Sequence, residues 1–153
     1  MKNAFTMIEL IFVIVIIGIL AAVAIPKLAA TRDDAEATVC VHEAGQLLNE
    51  VAAVYAMVGN ATFKSIKIST MTNVKIRASG ESRGIKTDTT VDSNGITYVC
   101  ENQDIFTILG ADSGPVYGLT ATVTAGSTPA SKTASNDIIK HVLSGSSPKI
   151  FEL

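Results

Sequence analysis

Tryptophan is absent, and aromatic residues of every kind make up only 5% of the chain. Twelve Lys and Arg stand against 14 Asp and Glu, a formal net charge of −2. No basic patch with interleaved aromatics occurs, so the electrostatic footprint of a nucleic-acid-binding surface is missing. There is no glycine-rich phosphate loop and no His-Glu-x-x-His pattern. Of the two histidines, His42 and His141, neither has recognisable triad partners. No internal repeat is present. Nothing here asks for a cofactor, and no residue stands out as catalytic.

A second shortage is local. Residues 5–25 hold no Lys or Arg, and their one charged side chain is Glu9. About 21 residues at 1.5 Å each make roughly 32 Å of helix, enough to cross a bilayer core of about 30 Å. A charge inside such a span costs about 2.5–3.5 kcal/mol on insertion scales, so it normally has a partner and a task. The partners on offer are the chain's own amino terminus, another subunit, or a proton. The span is longer than the apolar region of a secretory signal, and no Ala-x-Ala site ends it cleanly (Ala21, Ala22 and Ala24 are the nearest approach). It is therefore expected to stay as a single membrane pass. Lys2 precedes it while Lys27 and Arg32 follow, so charge gives little orientation. A short leading tail stays most simply in the cytoplasm, with the C-terminal bulk outside.

Beyond Pro26 the sequence turns amphipathic. Ala37, Cys40, Ala44, Leu47, Val51, Val54 and Val58 recur at alternating spacings of three and four, which is one face of a helix. Arg32, Glu36, Glu43, Gln46 and Glu50 fall on the opposite, wetter face. Gly59-Asn60 closes the pattern as a C-terminal cap. Span and stripe together predict one helix of about 54 residues, roughly 80 Å long. Its weak points are Gly18 and Pro26, because glycine is entropically costly in a helix and proline removes a backbone donor. The simplest role for the stripe is to cover a domain core.

Further on, the signals are those of strands and turns. Residues 86–91 are Thr-rich and Asn94-Gly95 is a hairpin signal. Residues 96–100 follow, with Ile96, Tyr98 and Cys100 on one face. Asn102-Gln103-Asp104 turns the chain into 105–109, and Asp112-Ser113-Gly114-Pro115 turns it into 116–124. The expectation is an antiparallel meander of three or four strands, one face covered by the helix stripe. Residues 125–135 are small and polar and read as a loop. Residues 136–143 read as a short helix closed by Gly145, and 149–153 as an edge strand. Residues 63–78 alternate only in part, through Ile66, Ile68, Val74 and Ile76.

Two cysteines are present. Cys40 lies on the helix stripe and Cys100 on the strand face that would meet it. In an oxidising compartment they can join, closing a loop that contributes roughly 4 kcal/mol in the chain-entropy model. Two separate buried thiols are the alternative. Metal binding is a third, with His42 two residues from Cys40, although i and i+2 on a helix point in different directions.

The run Ala4-Phe5-Thr6-Met7-Ile8-Glu9-Leu10, continued by apolar residues to Pro26, closely resembles the N-terminal signature of type IV pilins and type II secretion pseudopilins. The usual pattern is Gly-Phe-Thr-Leu-Ile-Glu-Leu. The resemblance is strong over residues 1–30 and architectural beyond them. It implies a pilin-like α+β fold: one long N-terminal helix, half transmembrane and half amphipathic, packed on a small antiparallel sheet. The implied organisation is a leader at 1–4, a hydrophobic assembly helix at 5–26, its amphipathic continuation at 27–59, and a β-rich head at 60–153. It also implies cleavage by prepilin peptidase between Ala4 and Phe5 on the cytoplasmic side, followed by methylation of the new Phe5 amine. Glu9 would neutralise the Phe5 amine of a neighbouring subunit in a homo-oligomeric or mixed pilin filament, with Thr6 positioning the contact. Before assembly the partners are the lipid bilayer and an inner-membrane assembly platform, with the head periplasmic. Residues 18–26 resemble the stretch of pilins that can unwind in the assembled fibre. Two departures stand out. Ala4 replaces the usual glycine, and the cysteines could join only helix to sheet, not close a C-terminal loop.

Two further expectations compete. The N-terminus could serve only as a tether for a periplasmic enzyme or binding module. Asp88, Asp92 and Asn94 are compatible with calcium, as in some pseudopilins, but an Asp- and Asn-rich turn is more often only a turn.

Overall fold

A computed structural model of the chain describes residues 5–78, 89–91, 95–112, 117–146 and 148–152. The chain divides into two compact units, Met1–Ala35 and Glu36–Leu153. Helix α1 spans Met7–Phe63 and so contributes to both. In the first unit the helix is rich in branched apolar residues, and every large apolar residue from Phe5 to Leu28 is exposed. The helix runs through both Gly18 and Pro26. The single non-helical residue is Gly59, at φ 71° and ψ 170°. The sequence placed the helix end here. Instead the chain kinks at Gly59 and helix resumes to Phe63, because the Phe63 ring is wanted in the core. Phe63 is fully buried, edge-on to both Tyr55 and Tyr117 at centroid distances of 5.3 and 5.2 Å.

In the second unit a five-stranded antiparallel sheet has the order β1-β2-β3-β4-β5. The strands are β1 (Ile76–Ala78), β2 (Ile96–Cys100), β3 (Gln103–Asp112), β4 (Tyr117–Val123) and β5 (Lys149–Glu152). Its register aligns Ile76, Tyr98, Phe106 and Val123 in one cross-strand row, and Ile96, Ile108 and Ala121 in the next. Side chains alternate along each strand, so these rows share a face. Against that face pack Ala37, Cys40, Ala44, Leu47 and Val51 of α1, all buried, with Val54 and Val58 partly so. Hydrophobic burial over this layer is the main stabilising term of the unit.

The sequence put Glu43, Gln46 and Glu50 on the wet face, yet all three are half-buried. The buried side of α1 is wider than one stripe, because Leu48 joins the core and Val142 approaches Gly45. The Thr-rich segment expected as the first strand behaves differently too. Of its described part, Thr90 forms an isolated bridge to Lys67, and the sheet position beside β2 is taken by Ile76–Ala78. Residues 86–88 and Asn94, on which the expected strand and hairpin also rest, lie outside the described residues, as do 113–116. The turn expected at residues 102–104 is a tighter one. Glu101 and Asn102 alone join the paired Cys100 and Gln103, both with positive φ, the handedness that two-residue hairpins favour.

The small polar stretch read as a loop is helix α2, Pro129–Asp137. Thr128 caps it: its hydroxyl accepts from the Ser131 N–H at 3.2 Å while the Ser131 hydroxyl accepts from the Thr128 N–H at 3.0 Å. Pro129 at the first helical position is pre-set for that conformation. Ala130, Ser131, Ala134 and Ser135 are buried. A face of small residues thus packs closely although it shows no apolar stripe. A π-helical turn, Ile138–Val142, follows.

Candidate functional site

Glu9 stands in the first turn of α1, where backbone N–H groups lack helical partners. Its Oε2 accepts from the Thr6 N–H at 2.8 Å and from the Thr6 hydroxyl at 2.7 Å. In return the Glu9 N–H donates to the Thr6 hydroxyl at 3.3 Å. This is a capping box, Thr-x-x-Glu, and it fixes the carboxylate over the helix start. The spacing was legible in the sequence, where only the charge of Glu9 drew attention. Thr6 supplies hydrogen bonds and no charge, so the carboxylate is oriented without being neutralised. Phe5, next to the box, is 87% exposed. Ala4 lies outside the described residues.

The second unit holds the two cysteines together. Cys40 and Cys100 form a disulfide with their Cα atoms 5.8 Å apart, so α1 is covalently tied to β2. Neither sulfur is available to a metal, and His42 is exposed on the helix surface. Among the described residues no group of three or more potential metal ligands occurs. Asp88, Asp92 and Asn94, the candidate calcium residues, lie outside the described residues.

Beside the disulfide is a pair that sequence reasoning missed. The Tyr98 hydroxyl donates to Glu43 Oε2 at 2.6 Å. Burial, and then the bond to and the charge of Glu43, push the Tyr98 hydroxyl well above the usual phenol range. The two residues are far apart in sequence and on elements of different period, so no local pattern pairs them. On the sheet, Arg77 of β1 pairs with Asp104 of β3. Tyr117 donates to the Val91 carbonyl, holding the short described segment 89–91 against β4.

Residues 1–25 match the family model of the prokaryotic N-terminal methylation motif. That motif heads a long apolar helix, and the rest of the same helix covers a small antiparallel sheet. In these first residues and in this architecture the chain is similar to the type IV pilins and pseudopilins. Comparison with curated proteins and with solved structures found no match. The motif and the long apolar helix support a membrane-anchored N-terminus. The exposed apolar residues of the first unit are what an anchor presents to lipid, where backbone groups must be satisfied within the helix.

Proposed function

We propose that the chain is a filament subunit of a type IV pilus or a type II secretion pseudopilus. It is made as a single-pass inner-membrane protein with a periplasmic head. Prepilin peptidase removes residues 1–4 on the cytoplasmic side, and the new amine of Phe5 is methylated. Residues 5–26 form the membrane and assembly helix, residues 27–59 its continuation, and residues 60–153 the head. An assembly platform in the inner membrane transfers the subunit from lipid into a homo-oligomeric or mixed filament.

The observation that carries this reading is the carboxylate of Glu9, oriented by Thr6 at the start of a lipid-facing helix. A free amine at Phe5 and a carboxylate four residues on are complementary charges. Both are costly in hydrocarbon, and pairing between neighbouring subunits removes part of that cost for each. Thr6 holds Glu9 ready for the pairing.

Intact-mass analysis of the membrane-extracted protein tests the processing. The expected mass lacks Met1 to Ala4 and carries one added methyl group. An uncut N-terminus favours a simple tether and overturns the reading. Glu9→Ala at matched expression tests the assembly: membrane insertion and head folding persist while filament yield collapses. Sheared surface fibres identify a pilus. Export of a folded enzyme that fails without the subunit identifies a pseudopilus.

A further inference from the structure

The Cys40–Cys100 disulfide lies at an open cleft of about 350 Å³, and the cleft is acidic. Among the described residues Glu43 and Glu101 line it together with Tyr98, against one cation, Lys75. Glu43 is one turn beyond Cys40 on α1, and Tyr98 is on the same face of β2 as Cys100, so the hydrogen-bonded pair stands directly beside the bridge. Both cysteines line the cleft, and Cys40, 7% exposed against 1% for Cys100, is the more open residue of the two.

We propose that Glu43, positioned by Tyr98, guards this disulfide. It turns away thiols that carry an additional negative charge and admits those that carry a positive one. Opening the bridge starts with attack of a thiolate on Cys40 Sγ. The S–S bond breaks, the incoming sulfur is joined to Cys40, and Cys100 leaves as a thiolate that takes a proton from water. A second thiolate then releases Cys40. The bridge is reduced to two thiols, and two equivalents of the thiol are oxidised to their own disulfide. Every step brings an anion into a cleft that already holds a fixed carboxylate, and the rate depends on access and on charge. The Tyr98 bond keeps that carboxylate from swinging into solvent, where water would screen it. The helix-to-sheet tie is in this way kinetically protected without full burial.

Reduction of the full chain in detergent tests the guard. Rates are followed by alkylation and intact mass at low salt, for 2-mercaptoethanesulfonate and for cysteamine, each divided by its thiolate concentration. The urea-unfolded chain provides the reference ratio. In the folded protein the sulfonate thiol is expected to lag by roughly three- to tenfold more than in the reference, the size of one fixed charge acting at several ångströms in a wet cleft. Raising salt closes the gap. Glu43→Gln closes it at low salt, Glu43→Asp retains it, and Tyr98→Phe narrows it. A ratio in the folded protein equal to that of the unfolded chain overturns the proposal. So does a gap that survives Glu43→Gln, or a reduction rate independent of thiol concentration, which means that the bridge opens only by unfolding.

Discussion

Replacing Cys40 and Cys100 together by Ala removes the covalent tie between α1 and β2. The bridge spans a sequence separation of 60 residues. In the chain-entropy model such a loop restricts the unfolded chain by about 14 cal/mol/K, or about 4 kcal/mol at 25 °C. Both sulfurs sit in the packed layer, so their loss leaves a small void that adds about 1 kcal/mol. The expected total of about 5 kcal/mol is a large share of the 5–15 kcal/mol that holds an ordinary domain together. With no tryptophan in the chain, the three tyrosines are the natural probes, and Tyr55, Tyr98 and Tyr117 all lie in the second unit, Glu36–Leu153. Urea unfolding followed by near-ultraviolet circular dichroism reads the head without interference from the membrane segment. At a slope of about 2 kcal/mol/M the midpoint should fall by about 2.5 M. Reduced wild type, which keeps both sulfurs in place, should fall by about 2 M and so separates the loop effect from the void. A loss below about 1 kcal/mol in both samples refutes the reasoning. It would mean that the unfolded chain keeps α1 near β2 without the bridge.

Gly59→Ala should lower stability by about 1–3 kcal/mol through the backbone alone, since φ is 71° and nothing lies within 4 Å of the added Cβ; the same urea titration measures it. In Gly110→Ala the new methyl meets the Tyr117 hydroxyl and, at 2.7 Å, the Val91 carbonyl, so the Tyr117–Val91 bond breaks at about 1–3 kcal/mol. Combining it with Tyr117→Phe should cost less than the sum of the two single changes, which a double-mutant cycle reports. Tyr98 is held above its unfolded value of 10.0, so its contribution is complete below pH 10 and is lost as pH rises beyond it. Absorbance at alkaline pH should show one tyrosine ionising last or only with unfolding. Tyr98→Phe should remove that component and flatten the fall in stability.

Much was legible because it is written in local periods. The apolar run at 5–25, the stripe from Ala37 to Val58 and the alternation at Ile96, Tyr98 and Cys100 each need only neighbouring residues to be recognised. The resemblance carried by Phe5, Thr6 and Glu9 is local as well. Even the disulfide was accessible, since each cysteine sat on the inward face of its own element. The misreadings have the opposite character. Residues 125–135, which hold most of α2, read as a loop because Ala130, Ser131, Ala134 and Ser135 give no apolar contrast. The stability of α2 comes from a cap at Thr128 and from close approach, as at Gly126, where an added Cβ would strike Ser131. β1 has only three residues, too few to show a period, whereas the Thr-rich composition of residues 86–91 suggests a strand there.

By itself the sequence determined the membrane-length helix, the carboxylate near its start, the amphipathic continuation and the presence of an antiparallel sheet, since each follows from spacing along the chain. Only the tertiary structure decided which strand lies beside β2, that the helix kinks at Gly59 to deliver Phe63, and that Tyr98 bonds Glu43 beside the bridge. Those outcomes depend on which distant surfaces bury the most apolar area once the chain has closed on itself. No local pattern encodes that competition, because the contending residues meet only in the folded head.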